Sequence, residues 1–209
     1  MRLKNLKHKD EIMTNNPYLI YNPSDYKGKY QSLFNNTNPI ELEIGCGKGD
    51  FIINKALTNP NINYIGLEKY DSVIARALKK VDIDIPNLRF IREDALNIDN
   101  VFDHEISVLY LNFSDPWPKL RHHDRRLTSR IFLEKYDSIF KSKNIIIQKT
   151  DNTDLYKYSL QSFKDYGYKI KETSEDLYNS KYIVGNIPTE YETKFHNDGL
   201  SIYYVKTEK

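Results

Sequence analysis

The sequence predicts an α/β fold, a mostly parallel sheet with helices on both faces. Two observations carry the prediction. Short apolar runs rich in branched residues alternate with stretches whose apolar residues recur at helical spacing, the pattern that builds parallel sheets. The first strand also runs into a glycine-rich turn, and acids stand at the C-terminal ends of four successive strands, Glu43, Glu68, Asp94 and Asp115. Open α/β sheets bind their ligands at that edge.

Met1 to Asn16 is polar, with Arg2, Lys4, Lys7 and Lys9 ahead of the first acid, and reads as a solvated terminus; a basic arm touching phosphates is the alternative. Asn22-Pro23-Ser24 reads as a helix start, with Ser24 capping a helix to about Phe34. Ile40-Glu41-Leu42-Glu43-Ile44 alternates as a strand should, and the helix after the turn, Asp50 to Leu57, stops before Asn59-Pro60. A second strand, Ile62 to Leu67, ends on Glu68. The next helix, Asp71 to Lys80, carries Val73, Ile74, Ala77 and Leu78 on one face and ends in lysines that suit its negative pole. Leu88 to Ile91 is a third strand, ending at Glu93-Asp94. A short helix leads to the fourth, Ile106 to Leu111. Beyond it come a helix from Ser129 to Phe140, a fifth strand from Asn144 to Gln148, and a helix from Asp154 to Tyr166 that ends at Gly167. Tyr168-Lys169-Ile170 reads as a sixth strand and Leu200 to Val205 as a seventh, with a polar, irregular stretch, Lys171 to Gly199, between them. No repeat or linker divides the chain, so residues 1–209 read as one domain, with 1–35 as an arm and helix before the core.

Composition excludes several functions. The lone cysteine, Cys46, makes no internal disulfide and no cysteine-built zinc site. The five histidines lack metal-binding spacing, so no metal is expected. No apolar run reaches transmembrane length and no signal-peptide pattern is present, which predicts a cytoplasmic protein without membrane contact. A net charge of +2 gives no argument for nucleic acid, so that argument rests on where the charges sit. The 17 tyrosines are spread throughout and read mostly as filler.

Gly45, Gly47 and Gly49 sit between a strand and a helix, where glycines permit a tight bend and close approach of the backbone to a ligand. Their spacing differs from the dinucleotide fingerprint, in which the third glycine comes one residue later. Glu43 lies within the strand itself, and a buried acid needs a partner that a cationic ligand would supply. Glu68 is placed for ribose hydroxyls and Asp94 for an adenine amino group. Each acid read alone could be a helix cap or a surface charge, but four in register point to a cationic, nucleoside-containing cofactor.

The fourth strand breaks at Asp115-Pro116-Trp117-Pro118, because two prolines within three residues continue neither a ladder nor a helix. Lys119, Arg121, His122, His123, Arg125 and Arg126 follow directly. An acid, an aromatic plate and a cationic run in one loop suggest chemistry on a phosphate-bearing polymer; a rigid turn with a solvated charged face is the plainer alternative. Trp117 could stack on a base or pack the loop.

Leu42-Glu43-Ile44-Gly45-Cys46-Gly47-Lys48-Gly49 resembles the first motif of class I S-adenosylmethionine-dependent methyltransferases. Tyr110 to Lys119 followed by Arg121-His122-His123 is similar to the signature of bacterial tRNA (guanine-N7-)-methyltransferases, as are Lys149-Thr150-Asp151-Asn152 and Thr189-Glu190-Tyr191-Glu192-Thr193-Lys194-Phe195 downstream. The resemblance covers roughly Tyr26 to the C-terminus, with Leu120 and Asp124 interrupting a loop that is usually richer in lysine. It implies a Rossmann-like class I methyltransferase fold: a seven-stranded, mostly parallel sheet with an antiparallel C-terminal strand. It further implies S-adenosyl-L-methionine as cofactor, bound by Glu43, Gly45, Gly47, Gly49, Glu68, Asp94 and Asp115, with Asp115 catalytic. Lys119, Asp151, Thr189, Glu190, Tyr191 and Glu192 would hold the target guanine, and Arg121, His122, His123, Arg125 and Arg126 would meet the RNA. The implied substrate is the variable-loop guanine at position 46 of tRNA, and the implied assembly a monomer or homodimer. Other readings are a class I methyltransferase acting on another RNA base or a protein amine, a non-catalytic RNA-binding module on the same fold, and a nicotinamide dehydrogenase.

Overall fold

A computed structural model describes residues 6–209; Arg2 and Lys4 of the expected basic arm lie outside the described residues. Eight strands form one sheet: β1 (Leu19–Ile20), β2 (Ile40–Ile44), β3 (Asn63–Glu68), β4 (Leu88–Arg92), β5 (Ile106–Asn112), β6 (Phe140–Thr150), β7 (Lys169–Ser174) and β8 (Tyr203–Glu208). Their spatial order is β1-β4-β3-β2-β5-β6-β8-β7. β2 lies at the centre, with Leu42 opposite Ile65 on one side and Leu109 on the other, both parallel. β8 runs antiparallel to both neighbours, Val205 facing Gln148 of β6 and Thr173 of β7. The strand beyond the expected seven is β1, a two-residue edge beside Phe90 and Ile91.

The helices are α1 (Lys9–Met13), α2 (Asp50–Thr58), α3 (Asp71–Lys80), α4 (Ile98–Val101), α5 (Arg130–Tyr136), α6 (Thr153–Asp165) and α7 (Glu190–Asn197). Alternation along the strands builds a core on each face of the sheet. Ile65 and Leu67 of β3 join Leu42, Leu109 and Phe163 on one face, whereas Tyr64 joins Ile52, Ile74 and Phe90 on the other. Among the described residues no helix is long and apolar enough to cross a membrane.

Four expectations are corrected. The helix expected from Ser24 to Phe34 is two short 3-10 turns, Pro23–Tyr26 and Tyr30–Leu33. Gly28 turns left-handed between them, and the Glu105 carboxylate takes the N–H groups of Gly28 and Tyr30 that a helix would have used. The helix expected to reach Phe140 ends at Tyr136, because Ile139 O accepts from Ile106 N and Phe140 is already paired in the sheet. The stretch from Lys171 to Gly199 holds the rest of β7 and all of α7. Finally, the described part of the amino-terminal stretch is not free: α1 packs on α3, with Lys9 Nζ 3.0 Å from Asp71.

Candidate active site

The C-terminal tip of the sheet collects the polar groups. Glu43 is 2% exposed, and its Oε1 accepts from Asn112 Nδ2 at 2.9 Å. Its Oε2 and the Oδ1 of Asn112 are buried with no hydrogen-bond partner. Burial pushes the Glu43 carboxyl up to about 8, against the pull of Asn112 and of the nearby Lys149 ammonium. With Glu43 ionised, these two linked acceptors lack donors and form a receptor for a group that only donates, such as a primary ammonium.

The glycine turn lies alongside. Gly45 and Cys46 both donate backbone N–H to Leu67 O, at 2.8 and 3.0 Å, which ties the turn to β3. Gly45 and Gly47 have φ of 75° and 58°, and a Cβ on either would meet nothing within 4 Å, so their outer side is open to a ligand. Gly49 serves packing instead: a Cβ there would lie 3.0 Å from Ala77 of α3. Glu68 ends β3 with Oε2 accepting from Gly47 N at 3.2 Å and Oε1 from Tyr70 N at 3.0 Å, and burial raises its pKa. Asp94 caps the turn after β4 by accepting from Leu96 N at 3.1 Å, while its other oxygen meets Lys69. A carboxylate carries about four lone-pair directions, so Glu68 and Asp94 both retain acceptor capacity.

Beyond β5 the loop bends through Phe113 and Trp117, at left-handed φ of 50° and 41°. Asp115 is exposed, makes no hydrogen bond or ion pair among the described residues, and lies close enough to Glu68 to raise that carboxyl further. The basic run divides in two. Lys119 and Arg121 are exposed and unpartnered among the described residues, and Arg125 is exposed with its guanidinium 4.9 Å from the Trp117 ring. Arg126, expected at the RNA, is 3% exposed. Its Nε donates to Pro116 O at 2.8 Å and its Nη2 to Trp117 O at 3.3 Å, with the guanidinium over Tyr158. In the ligand-free protein it braces the loop from inside, donating to two carbonyls of a segment whose prolines have no N–H to offer. His122 and His123 pack edge-on to Trp117 and Tyr158.

The segment expected to hold the base is the start of α7. Thr189 Oγ1 accepts from Glu192 N at 2.9 Å, and Glu192 Oε2 accepts from Thr189 N, a capping box. Glu192 is fully buried, bound to Lys149 Nζ and to Asn186 Nδ2 at 2.6 Å. Lys149 Nζ also donates to Asn186 Oδ1 and Ile187 O. Thr189 and Glu192 therefore fix the start of the helix in the ligand-free protein, and Thr189 also lines a cavity beside Glu190. Glu190 pairs with Lys48 of the glycine turn at 2.6 Å, and Tyr191 is 48% exposed. Asp151, just past β6, is half-buried and unpartnered among the described residues.

Comparison with known proteins agrees with this geometry. A family model described as "Putative methyltransferase" matches residues 37–205. The chain is 46% identical to a tRNA (guanine-N(7)-)-methyltransferase of Lachnoclostridium phytofermentans over 97% of this chain and 96% of that one. It is 48% identical to the protein of the same name from Streptococcus gordonii over 99% and 98%. The chain belongs to the tRNA (guanine-N7-)-methyltransferase family. Among solved structures, an antibiotic-related methyltransferase superposes with a TM-score of 0.65 at 16% identity, covering 87% of this chain and 93% of its own. A SAM-dependent methyltransferase from Aquifex aeolicus does so with 0.56 at 11% identity, covering 96% of each chain. At those identities the likeness is one of fold, the class I methyltransferase fold.

Within this methyltransferase, sequence reasoning did not anticipate the contacts of Asn112 with Glu43, of Lys149 with Glu192, or of Arg126 with the loop carbonyls. Lys149 carried a signal, a lysine two residues past the apolar run Ile145-Ile146-Ile147 and within the same strand. Asn112 carried none, since an asparagine at a strand end reads as the start of a loop.

Proposed function

We propose that the chain transfers the methyl group of S-adenosylmethionine to N7 of the variable-loop guanine, position 46, of tRNA. The observation that carries the reading is the pair of donorless buried acceptors, Glu43 Oε2 and Asn112 Oδ1, beside a glycine turn open to ligand. The α-ammonium of S-adenosylmethionine brings three donors to such a pair. Glu68 and Asp94, at the next two strand ends, are placed to accept from ribose hydroxyls and the adenine amino group.

S-adenosylmethionine supplies an electrophilic methyl group on a sulfonium. Guanine N7 offers an in-plane lone pair and bears no proton, so no residue of the chain has to remove one before attack. The protein's part is orientation, which is able to lower a barrier by several kcal/mol. Positive charge spreads into the purine as the bond forms, and Asp115 and Asp151, two unpartnered acids at adjacent strand ends, are positioned to stabilise it. Their oxygens also accept from guanine N1–H and its exocyclic amine, a donor pair adenine lacks. Lys119, expected at the base, is exposed in the same run as Arg121 and Arg125, and the three supply cations for phosphates, with Glu190 and Tyr191 at the base side.

The test is transfer of labelled methyl to an unmodified tRNA transcript, run beside one whose variable-loop guanine is adenine. Label in the first alone is the expected result. Equal label in both overturns the site, and no label in either, with cofactor still bound, overturns the substrate.

A further inference from the structure

Phe113 occupies a backbone conformation that a side chain normally avoids. Its φ of 50° falls in the left-handed region, where a residue other than glycine costs about 1–2 kcal/mol. Glycine would relieve that cost, so the ring itself is what the position keeps. Sheet alternation shows what the twist achieves. Asn112 reaches Glu43 on the face that also holds Lys149 and α7. Extended backbone would send the next side chain to the opposite face. Turning left-handed brings the Phe113 ring back toward α7, where it lies 5.9 Å from Phe195, which in turn stacks on Tyr191 at 6.0 Å. The backbone is held there by Phe113 N donating to Lys149 O at 2.8 Å. The three rings run from the residue next to the Asn112–Glu43 pair out to the surface at Tyr191.

We propose that Phe113, braced from behind by Phe195, is the stacking platform that receives the target guanine. This deepens the reading of a tRNA methyltransferase and rests on it. Trp117, the loop's other flat ring, has Arg125 over one face and His122 against its edge, and so belongs to the basic loop. Phe113 is half-buried near two acids that have no partner among the described residues and are proposed to read the base, Asp115 two residues on and Asp151 just past the end of the neighbouring strand. A ring face orients a purine in plane while carboxylates read its edge, and aromatic stacking is worth a factor of about ten to a hundred per base.

The experiment compares wild type, Phe113→Leu and Phe113→Tyr in methyl transfer to unmodified tRNA. S-adenosylmethionine affinity and Tm are measured on each. Leucine keeps apolar bulk against Phe195 and loses the flat face; tyrosine keeps both. The expected result is a fall of about ten- to a hundred-fold in kcat/KM for Phe113→Leu. Cofactor affinity and Tm should then stay near wild type, and activity should be restored in Phe113→Tyr. Equal activity in Phe113→Leu and wild type overturns the platform alone. Loss of activity in both variants together with lowered Tm also overturns it, leaving Phe113 a packing residue. A wild type that transfers no methyl to tRNA removes the functional reading and the platform with it.

Discussion

Burial holds the Glu43 carboxyl at about 8, well above its ordinary 4.5. In the ligand-free protein this acid keeps a proton that the unfolded chain gives up between those values. The folded state therefore binds more protons across that window, and the stability attributable to Glu43 falls as pH rises through it. Glu43→Gln should flatten this dependence, raising the Tm of the ligand-free protein at pH 8 by about 2–4 °C or more while leaving it little changed at pH 4.5. Thermal melts across the range check the sign. Docking a cation against Oε2 favours the charged form, so S-adenosylmethionine binding at pH 7 should release most of a proton from wild type and none from Glu43→Gln. Calorimetry in buffers of different ionisation enthalpy reads that number. Asp115 is exposed and has no partner among the described residues, and Asp115→Ala should lower turnover about 10²–10³-fold while tRNA affinity stays within about two-fold. Both acids were legible in the sequence, one as a charge inside an apolar strand and the other as the residue opening a double-proline loop. Asn112, which completes the Glu43 site, was not, because its role exists only where β2 and β5 lie side by side.

Single elements show where local pattern and long-range contact part company. α2, α3 and α6 were readable to within a residue or two, since apolar spacing and stop signals lie within each segment. α7 was not, although its capping box, Thr189 with Glu192, is written in the sequence. Its anchor is Lys149, some forty residues earlier, and burial of Glu192 inverts the reading of a charged residue as a surface group. Removing one member of such a buried pair strands the other, at a cost of about 3–5 kcal/mol. Lys149→Met should lower stability by that amount in chemical denaturation, and Lys149→Met with Glu192→Leu should recover part of it. The recovered double variant should still be slow with tRNA, because the 186–192 segment loses the contacts that place Glu190 and Tyr191.

For the molecule as a whole, the net charge of +2 conceals how the charges are deployed. Most lysines and acids near the glycine turn and the N-terminal edge are paired, as with Lys48–Glu190, Lys80–Asp50 and Lys9–Asp71. The proline loop instead leaves Lys119, Arg121 and Arg125 without an acidic partner among the described residues, on the same edge of the sheet as Asp115 and Asp151. On the proposed function, a cationic patch beside two strand-end acids would separate two tasks, attraction of a polyanion by its backbone and selection of one base. Phosphate contacts release counterions, so affinity falls with salt in proportion to the number of contacts, about 0.7–0.9 in log–log slope for each. Substituting Lys119, Arg121 and Arg125 together by glutamine should flatten the salt dependence of tRNA binding by about 2–3 in that slope. Arg126→Gln provides the contrast. Its guanidinium is spent on Pro116 O and Trp117 O, so the salt slope should stay at the wild-type value while methyl transfer falls through a slackened loop. A slope lowered by about 0.7–0.9 in Arg126→Gln would return that arginine to the RNA surface.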